Sequence, residues 1–189
     1  LGRLERVARR RAAGPPAPVR GVARVDRRTK RLVKRLRPGE VAVIDHEDLD
    51  GVAAETLVDA EPVAVLNAAP SISGRYPNLG PLLLSQAGIP LVDDLGPELM
   101  ERVAEGAVVT VDGDRVLVDG TEVARGVRQT PESIERAMED ARANLGPALE
   151  QFAENTVEYI RKEIDVLTGD LELPEVRCEI AGRHVLIVV

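Results

Sequence analysis

The sequence predicts an α/β fold in which short buried strands alternate with helices, and three observations support it. Apolar runs of strand length recur at 41–44, 62–67 and 89–94, separated by stretches of helical period. From 107 to 127 the period changes to two, which predicts three short strands with the Asp-Gly pairs at 112 and 119 as hairpin turns. From Thr130 to about Leu167, apolar residues recur every three or four positions, which predicts one long helix.

The remaining elements of the predicted sheet domain follow from local patterns. G-V-A-R-V-D at 21–26 alternates as a strand does, and R-R-T-K-R-L-V-K-R-L at 27–36 is typical of a helix that Pro38-Gly39 ends. Asp48 or Asp50 can cap the helix that follows, since both precede its apolar stripe. Two further helices are predicted, at 80–87 and 97–105.

The long helix carries an apolar stripe that is longer than one small domain can cover. Thr130 as a cap and Pro131 in the first turn mark its start, and Gly146-Pro147 should kink or break it. Because an uncovered stripe of this kind pairs readily with a copy of itself, we expect a homodimer through residues 130–167. The alternative is that the helix packs on the sheet domain.

Composition excludes several classes of function. Of the 189 residues, 44% are hydrophobic but only 2% are aromatic, so the stacking surfaces of single-strand binders are missing and we expect no nucleic acid partner. The single cysteine, Cys178, cannot form an internal disulfide, which suits a reducing compartment. With no Cys or His cluster we expect no metal site and no cofactor. No apolar window reaches the length of about 18 residues that a membrane span needs.

Charge is distributed unevenly along the chain. The formal net charge is -7, yet residues 1–40 carry 14 Lys and Arg against 3 Asp and Glu. We expect the first 20 residues to form a basic arm with a proline-rich linker that contacts anionic lipid. The alternative is a solvated segment that pairs with the acidic remainder of the chain.

The loop from Asn67 to Gly80, between a strand end and a helix start, is the first candidate site. Free N–H groups at the helix start, with Ser71, Ser73 and Arg75 as further donors, would suit a phosphate or a carboxylate. The alternative is that the Pro and Gly residues only shape a turn and Arg75 pairs with acidic residues. The candidate ligand-binding or recognition residues are Asn67, Ser71, Ser73, Gly74, Arg75, Tyr76 and Asn78.

An acidic cluster at two predicted strand ends is the second candidate. Carboxylates with one histidine could hold a divalent cation or share a proton. Alternatively these residues cap helices and end strands, and the histidine is a surface side chain. The cluster consists of Asp45, His46, Glu47, Asp48, Asp50, Asp93 and Asp94.

Catalytic signatures are not found in this chain. Ser71 and Ser73 lack a histidine base nearby in sequence, no G-x-S-x-G elbow occurs, and Cys178 lies near the end of the chain. We therefore expect no catalytic residue.

Two resemblances add to this interpretation. S-I-S-G-R-Y-P-N, the Gly88-Ile89-Pro90 run and V-V-T-V-D-G resemble the swivelling β/β/α domain that carries the phosphohistidine of phosphoenolpyruvate-utilising enzymes. In that family the reactive histidine would fall at about Asn78 or Leu79. Neither residue can carry a phosphoryl group on an imidazole nitrogen, so the resemblance implies the fold without the phosphotransfer.

A longer resemblance covers nearly the whole chain. V-D-R-R-T-K-R-L-V-K-R-L, A-V-I-D-H-E-D-L-D, L-N-A-A-P-S-I-S-G-R-Y-P-N-L-G-P and E-N-T-V-E-Y-I-R-K-E are similar to the actinobacterial SteA family of cytokinetic-ring proteins. The resemblance implies a role in septation and daughter-cell separation with a membrane partner of the SteB type. It also implies a second domain like that of thiamine pyrophosphokinase and anchoring at the inner face of the septal membrane.

Together these observations predict a non-catalytic regulatory and interaction module from a longer protein. The predicted divisions are a basic arm and linker (1–20), a swivelling-type domain (21–129), a long linking or dimerisation helix (130–169) and the start of a truncated kinase-like domain (170–189). The rival hypothesis is a phosphate- or nucleotide-binding enzyme domain that uses the loop and the acidic cluster.

Overall fold

A computed structural model describes residues 17–162 of the chain. The basic arm up to residue 16 and the predicted terminal strand G-R-H-V-L-I-V-V lie outside the described residues. The chain divides into two compact units between Pro147 and Ala148. The first unit contains the sheet and its helices, and the described part of the second consists of one helical segment.

The described elements alternate along the chain, as an α/β fold requires. In order they are β1 (Val19–Val25), α1 (Thr29–Leu32), β2 (Val41–Ile44), α2 (Gly51–Asp59), β3 (Ala64–Asn67), α3 (Gly80–Gln86), β4 (Leu91–Asp93), α4 (Leu99–Arg102), β5 (Val108–Asp112), β6 (Arg115–Val118), β7 (Thr121–Arg125), β8 (Val127–Arg128) and α5 (Pro131–Lys162).

The strands form a mixed eight-stranded sheet in the order β7-β6-β5-β1-β2-β3-β4-β8. The four central strands β1 to β4 are parallel, so their carboxyl ends lie at the same edge. The outer strands run antiparallel: β5 pairs with β1 and continues into the β6 and β7 hairpins, and β8 pairs with β4. Hairpins need no crossover, whereas each parallel pair requires one of the short helices as its connection.

Both faces of β2, β3 and β4 are buried, which explains why their sequences are continuous apolar runs, whereas β1 is only partly buried and alternates. β2 and β3 are buried at every position. One face packs against α1, α2 and α3 through a cluster that includes Leu32, Leu57 and Leu84. The other face packs against α4 through Leu99 and its neighbours and continues onto the β5–β7 hairpins.

Two predicted elements differ from the structure in detail. α1 ends as a regular helix at Leu32, although the N–H of Leu36 still bonds the carbonyl of Leu32 at 3.0 Å, so the chain remains helical for one more turn. The first hairpin turn is Gly113-Asp114 rather than the Asp-Gly pair at 112, because Asp112 pairs with Arg115. Gly113 takes φ +63°, the positive value that a two-residue hairpin needs. The second turn, Asp119-Gly120, is as predicted.

α5 continues through Pro147, so the predicted break does not occur. Its start is as predicted: Thr130 and Ser133 exchange hydrogen bonds between side chain and backbone N–H at 3.1 and 2.9 Å. Within the first unit, α5 buries one face through Ile134, Met138 and Ala141. Among residues 17–162, no helix is both long and apolar enough to cross a bilayer.

We predict that Gly80→Ala destabilises the protein. A Cβ at position 80 would lie 2.3 Å from the carbonyl oxygen of Leu49, so α3 would have to move away from the β2–α2 connection. The expected loss is about 2 kcal/mol of unfolding free energy, measured by urea denaturation. The matched control is Gly146→Ala, since no atom lies within 4 Å of a Cβ there and alanine favours the helix. Equal stability of the two variants would contradict the close approach.

Candidate functional site

The carboxyl edge of the parallel strands gathers the two candidate sites. His46 follows β2, Asn67 ends β3 and Asp93 ends β4. The loop from Asn67 to Gly80 runs along this edge and contacts the segment between β2 and α2. Binding sites of parallel sheets occur at this edge, so the predicted location of the candidate site follows from the topology.

Asn67 fixes the start of the loop from a fully buried position. Its side-chain oxygen accepts the N–H of His46 at 2.9 Å, and its amide nitrogen donates to the carbonyl of His46 at 2.9 Å. The same nitrogen donates to Ser71 Oγ at 2.8 Å. Because asparagine here substitutes for two strand-to-strand hydrogen bonds, it extends the pairing of β2 and β3 beyond the ends of both strands.

Ser71 and Asp93 form the centre of the site. The hydroxyl of Ser71 donates to Asp93 Oδ1 and its backbone N–H donates to Oδ2, both at 2.8 Å. Both residues are buried, with Ser71 at 0% and Asp93 at 3% exposure. Burial raises the pKa of the Asp93 carboxyl to about 6, against the opposing effect of the two hydrogen bonds from Ser71.

Residues outside the predicted site complete this network. Gln129, between β8 and α5, donates to Asp93 Oδ2 at 3.4 Å and accepts from the hydroxyl of Ser133 at 2.8 Å. Gly126, just before β8, lies so close that a Cβ there would be 2.3 Å from the carbonyl oxygen of Asp93. The sequence offers no signal for these contacts, because β8 has only two residues and its pairing with β4 joins positions far apart in the chain.

Asp48 holds the second half of the loop. It accepts the N–H and the hydroxyl of Ser73 at 2.8 Å each, and the side-chain amide of Asn78 at 2.9 Å. Its backbone takes φ +55°, a value rare for a residue with a side chain. The helix cap is therefore Asp50, whose carboxylate accepts the N–H of Ala53 at 2.8 Å, and Asp48 fixes the loop instead.

The tip of the loop is the part that remains open to solvent. Arg75 is exposed, and its guanidinium lies 3.9 Å from Glu47, a weak ion pair between two solvated side chains. Tyr76 and Leu79 are 58% and 52% exposed. Gly74 takes φ +89°, and its carbonyl accepts a hydrogen bond from Asn144 of α5 at 3.3 Å. The tip therefore presents one cation, one phenol and one aliphatic side chain.

The predicted anion-binding donors are thus mostly engaged within the protein. Ser71, Ser73 and Asn78 all bond carboxylates of the chain itself. Of the predicted loop residues, only Arg75 and Tyr76 present large exposed side chains. The structure brings the loop and the acidic cluster together, but as hydrogen-bond partners of each other rather than as two ligand sites.

The residues of the acidic cluster bond different partners. Asp45 pairs with Arg27 at 2.8 Å, and His46 Nδ1 lies 2.9 Å from the hydroxyl of Thr29. Asp94 is exposed at the strand end. Within residues 17–162, no three metal-binding side chains come together.

We predict that Asp93 makes the protein less stable as pH rises. The folded pKa of about 6 exceeds the ordinary 3.8, so the folded state holds the proton more tightly. The stabilising contribution of the bound proton to the unfolding free energy is complete below pH 3.8 and is lost as pH rises through about 6. The difference in unfolding free energy between wild type and Asp93→Asn, measured by denaturation across this range, should depend on pH. The control Asp94→Asn, at an exposed neighbour, should keep most of the wild-type dependence. Parallel curves for wild type and Asp93→Asn would contradict the assignment.

Comparisons with known proteins add no identification. Neither a scan against models of protein families nor a search of curated proteins finds a match to this chain. The function therefore has to be argued from the geometry described above.

Proposed function

We propose that this chain is a non-catalytic interaction module that self-associates and presents the loop tip to a partner. One observation carries the proposal: the polar side chains of the candidate site are engaged with each other and are buried or half-buried, whereas the exposed groups are of the kind that proteins use for contact. The Ser71 hydroxyl has Asp93 as its acceptor, but a substrate could not reach either group. A nucleophile without access to substrate cannot support catalysis.

The second unit supplies a surface for self-association. In the segment from Ala148 to Lys162, Leu149, Phe152 and Tyr159 are 57%, 68% and 67% exposed. With Thr156, these residues occupy the a and d positions of two heptads, at successive spacings of three, four and three residues. Ile160 adjoins this apolar seam.

Charge and polarity along this helix favour pairing with a second copy. Glu150, Glu154 and Glu158 fall at heptad positions b, f and c, on the side away from the seam, so two copies can approach without opposing their carboxylates. Thr156, the polar residue of the seam, donates its hydroxyl to the carbonyl of Phe152 at 2.8 Å. Its burial between two helices would therefore leave no hydrogen-bonding group unpaired.

The loop tip is the proposed contact surface of the first unit. Arg75, Tyr76 and Leu79 combine charge, an aromatic ring and an aliphatic side chain, a mixture enriched at protein interfaces. The bonds to Asp48 and Asn144 hold the loop in one shape before any partner binds. A preformed loop avoids part of the entropic cost of binding.

The resemblance supplies the proposed cellular setting. We propose that the module acts in septation and daughter-cell separation, as cytokinetic-ring proteins of the SteA type do, at the inner face of the membrane with a SteB-type partner. We also propose the swivelling β/β/α type as the finer fold assignment. The support for both is the sequence similarity quoted above, together with the mixed sheet and the occupation of the reactive histidine's place by Asn78 or Leu79.

We predict that Leu149→Ser with Phe152→Ser abolishes self-association. Each change replaces an apolar side chain of the seam, and together they remove the burial that would drive pairing. Light scattering at high micromolar concentration should give a dimer mass for the wild type and a monomer mass for the variant.

The matched control is Glu150→Ser with Glu154→Ser, which shortens two large side chains on the opposite side of the same helix. This control should remain dimeric. A monomeric wild type, or a double seam variant that stays dimeric, would exclude pairing through this helix.

We predict that Arg75→Ala with Tyr76→Ala leaves the fold intact but abolishes cell separation in the source organism. Both side chains are exposed, so the unfolding free energy should change by about 0.5 kcal/mol or less. The control Arg20→Ala removes an exposed cation near the start of β1, at the end of the strand opposite to the carboxyl edge, and should separate normally. Normal separation in the loop variant would reject the loop as a contact surface, and phosphorylation of the purified chain by phosphoenolpyruvate or ATP would refute the non-catalytic role.

A further inference from the structure

The segment from Arg27 to Gly39, which contains α1 and the turn after it, is the most basic part of the described chain. It holds seven Lys and Arg residues and no Asp or Glu. Two of the seven are paired: Arg27 bonds Asp45, and Arg35 bonds Asp26 and Glu105. The other five have exposed side chains and form no ion pair within 4 Å among residues 17–162, although Arg31 lies near enough to Asp26, and Arg37 near enough to Glu40, to lower the pKa of those carboxyls. We call these five the basic surface: Arg28, Lys30, Arg31, Lys34 and Arg37.

Two carboxylates next to the basic surface, Glu40 and Asp26, are mainly engaged by other groups. Glu40 accepts two hydrogen bonds from the guanidinium of Arg24, at 2.6 and 2.9 Å. Asp26 accepts the backbone N–H of Arg28 at 2.9 Å and pairs with Arg35. The charge of the basic surface is therefore left to solvent or to a ligand.

Helical geometry directs most of these cations away from the protein. Leu32 and Leu36 are buried against α2 and the sheet, and they define the inner side of this turn. At 100° per residue, Lys30, Arg31 and Lys34 fall on the opposite side. The three cations consequently lie on the exposed side of this segment, and Lys34 also borders the groove described next.

A shallow groove with an apolar floor lies beside the basic surface. Val33, Leu36, Pro38 and Ala60 contribute the apolar part, and Lys34, Thr56 and Asp59 contribute polar groups. Asp59 is the one acidic group among the residues that line it. Cations beside exposed apolar surface are typical of proteins that bind at the boundary between lipid headgroups and acyl chains.

We propose that the basic surface docks the protein onto a bilayer that contains anionic phospholipid. Lys and Arg near an anionic leaflet each add to the attraction, and no specific geometry is required of them. A nucleic acid is the less suitable polyanion. The Arg and Lys side chains could bond phosphates and guanine edges, but the segment contains no aromatic side chain to stack on a base and no Asn or Gln to bond an adenine edge, and its one hydroxyl, Thr29, is buried beside His46.

The basic surface is opposite in charge to the rest of the sequence. Residues 41–189 carry 11 Lys and Arg against 29 Asp and Glu, from the totals of 25 and 32 less the 14 and 3 of residues 1–40. An anionic bilayer would repel that acidic remainder and attract the basic surface. The inference is independent of self-association and concerns a surface separate from the loop tip.

The test is vesicle sedimentation with the full chain at low salt. Wild type should sediment with vesicles of phosphatidylcholine and phosphatidylglycerol but not with phosphatidylcholine alone, and salt should release it. Lys30→Gln with Arg31→Gln and Lys34→Gln should lower the partition coefficient by about tenfold or more. The control, Arg125→Gln with Arg136→Gln and Arg142→Gln, makes the same change in net charge away from the basic surface and should lower it by about threefold or less.

Two further measurements make the result decisive. Lys30→Arg with Lys34→Arg keeps the charge and should bind as wild type does, even if the triple variant were to fold poorly. Binding by the triple variant equal to that of wild type would assign the attraction to residues 1–16 and overturn the proposal. Tighter binding to duplex DNA than to the anionic vesicles at the same salt, or equal binding to both vesicle types, would also overturn it.

Discussion

The carboxylate of Asp93 is the constraint on which the carboxyl edge of the sheet depends. A buried carboxylate loses its hydration, so every group around it has to be a donor or has to exclude water. Ser71 supplies two donors and Gln129 a third, which brings the start of the long loop and the start of α5 to the same strand end. The sheet topology places the loop and the start of α5 near the end of β4, and the buried carboxylate requires their donors to bond it.

From this centre a continuous set of bonds reaches the rest of the edge. Asn67 joins Ser71 to the end of β2, and Asp48 joins the next turn of the loop to the start of α2. Asn144 then joins the loop to the side of α5. A polar loop of this length would ordinarily vary in conformation, but here its polar groups form hydrogen bonds that hold it in one conformation. Because these groups bond each other, they are not free to react with a substrate, so this edge of the sheet is better suited to binding a partner than to catalysis.

The sequence predicts the helices and strands better than it predicts the contacts between them. The period of the apolar residues located the parallel strands, because continuous apolar runs have few other uses in a chain of this composition. Asp48 and Asp50 could not be told apart as caps, since the choice depends on the positive φ of Asp48 and its bonds to Ser73 and Asn78. Thr130, by contrast, was recognised as a cap because its partner is local.

The hydrogen bonds of the polar network could not be predicted from the sequence for a related reason. Ser71 and Asp93 are separated by 22 positions, and Gln129 lies 36 positions beyond Asp93. No local pattern links residues so far apart, and β8 has too few residues for its pairing with β4 to be predicted from the sequence. The polar residues of the loop can be read from the sequence, but their hydrogen-bond partners, which cannot, determine what they do.

Gly126 has a consequence that reaches beyond the strand it precedes. Its missing side chain lets the backbone before β8 lie against the carbonyl of Asp93 and against Leu95. Any side chain there would push the two strands apart and let water reach the carboxylate. Water would raise the local dielectric constant and weaken the effect of burial, so that the pKa of the Asp93 carboxyl would fall. The absence of a side chain at one position thus governs the proton affinity of another, through solvent exclusion alone and without a bond between the two.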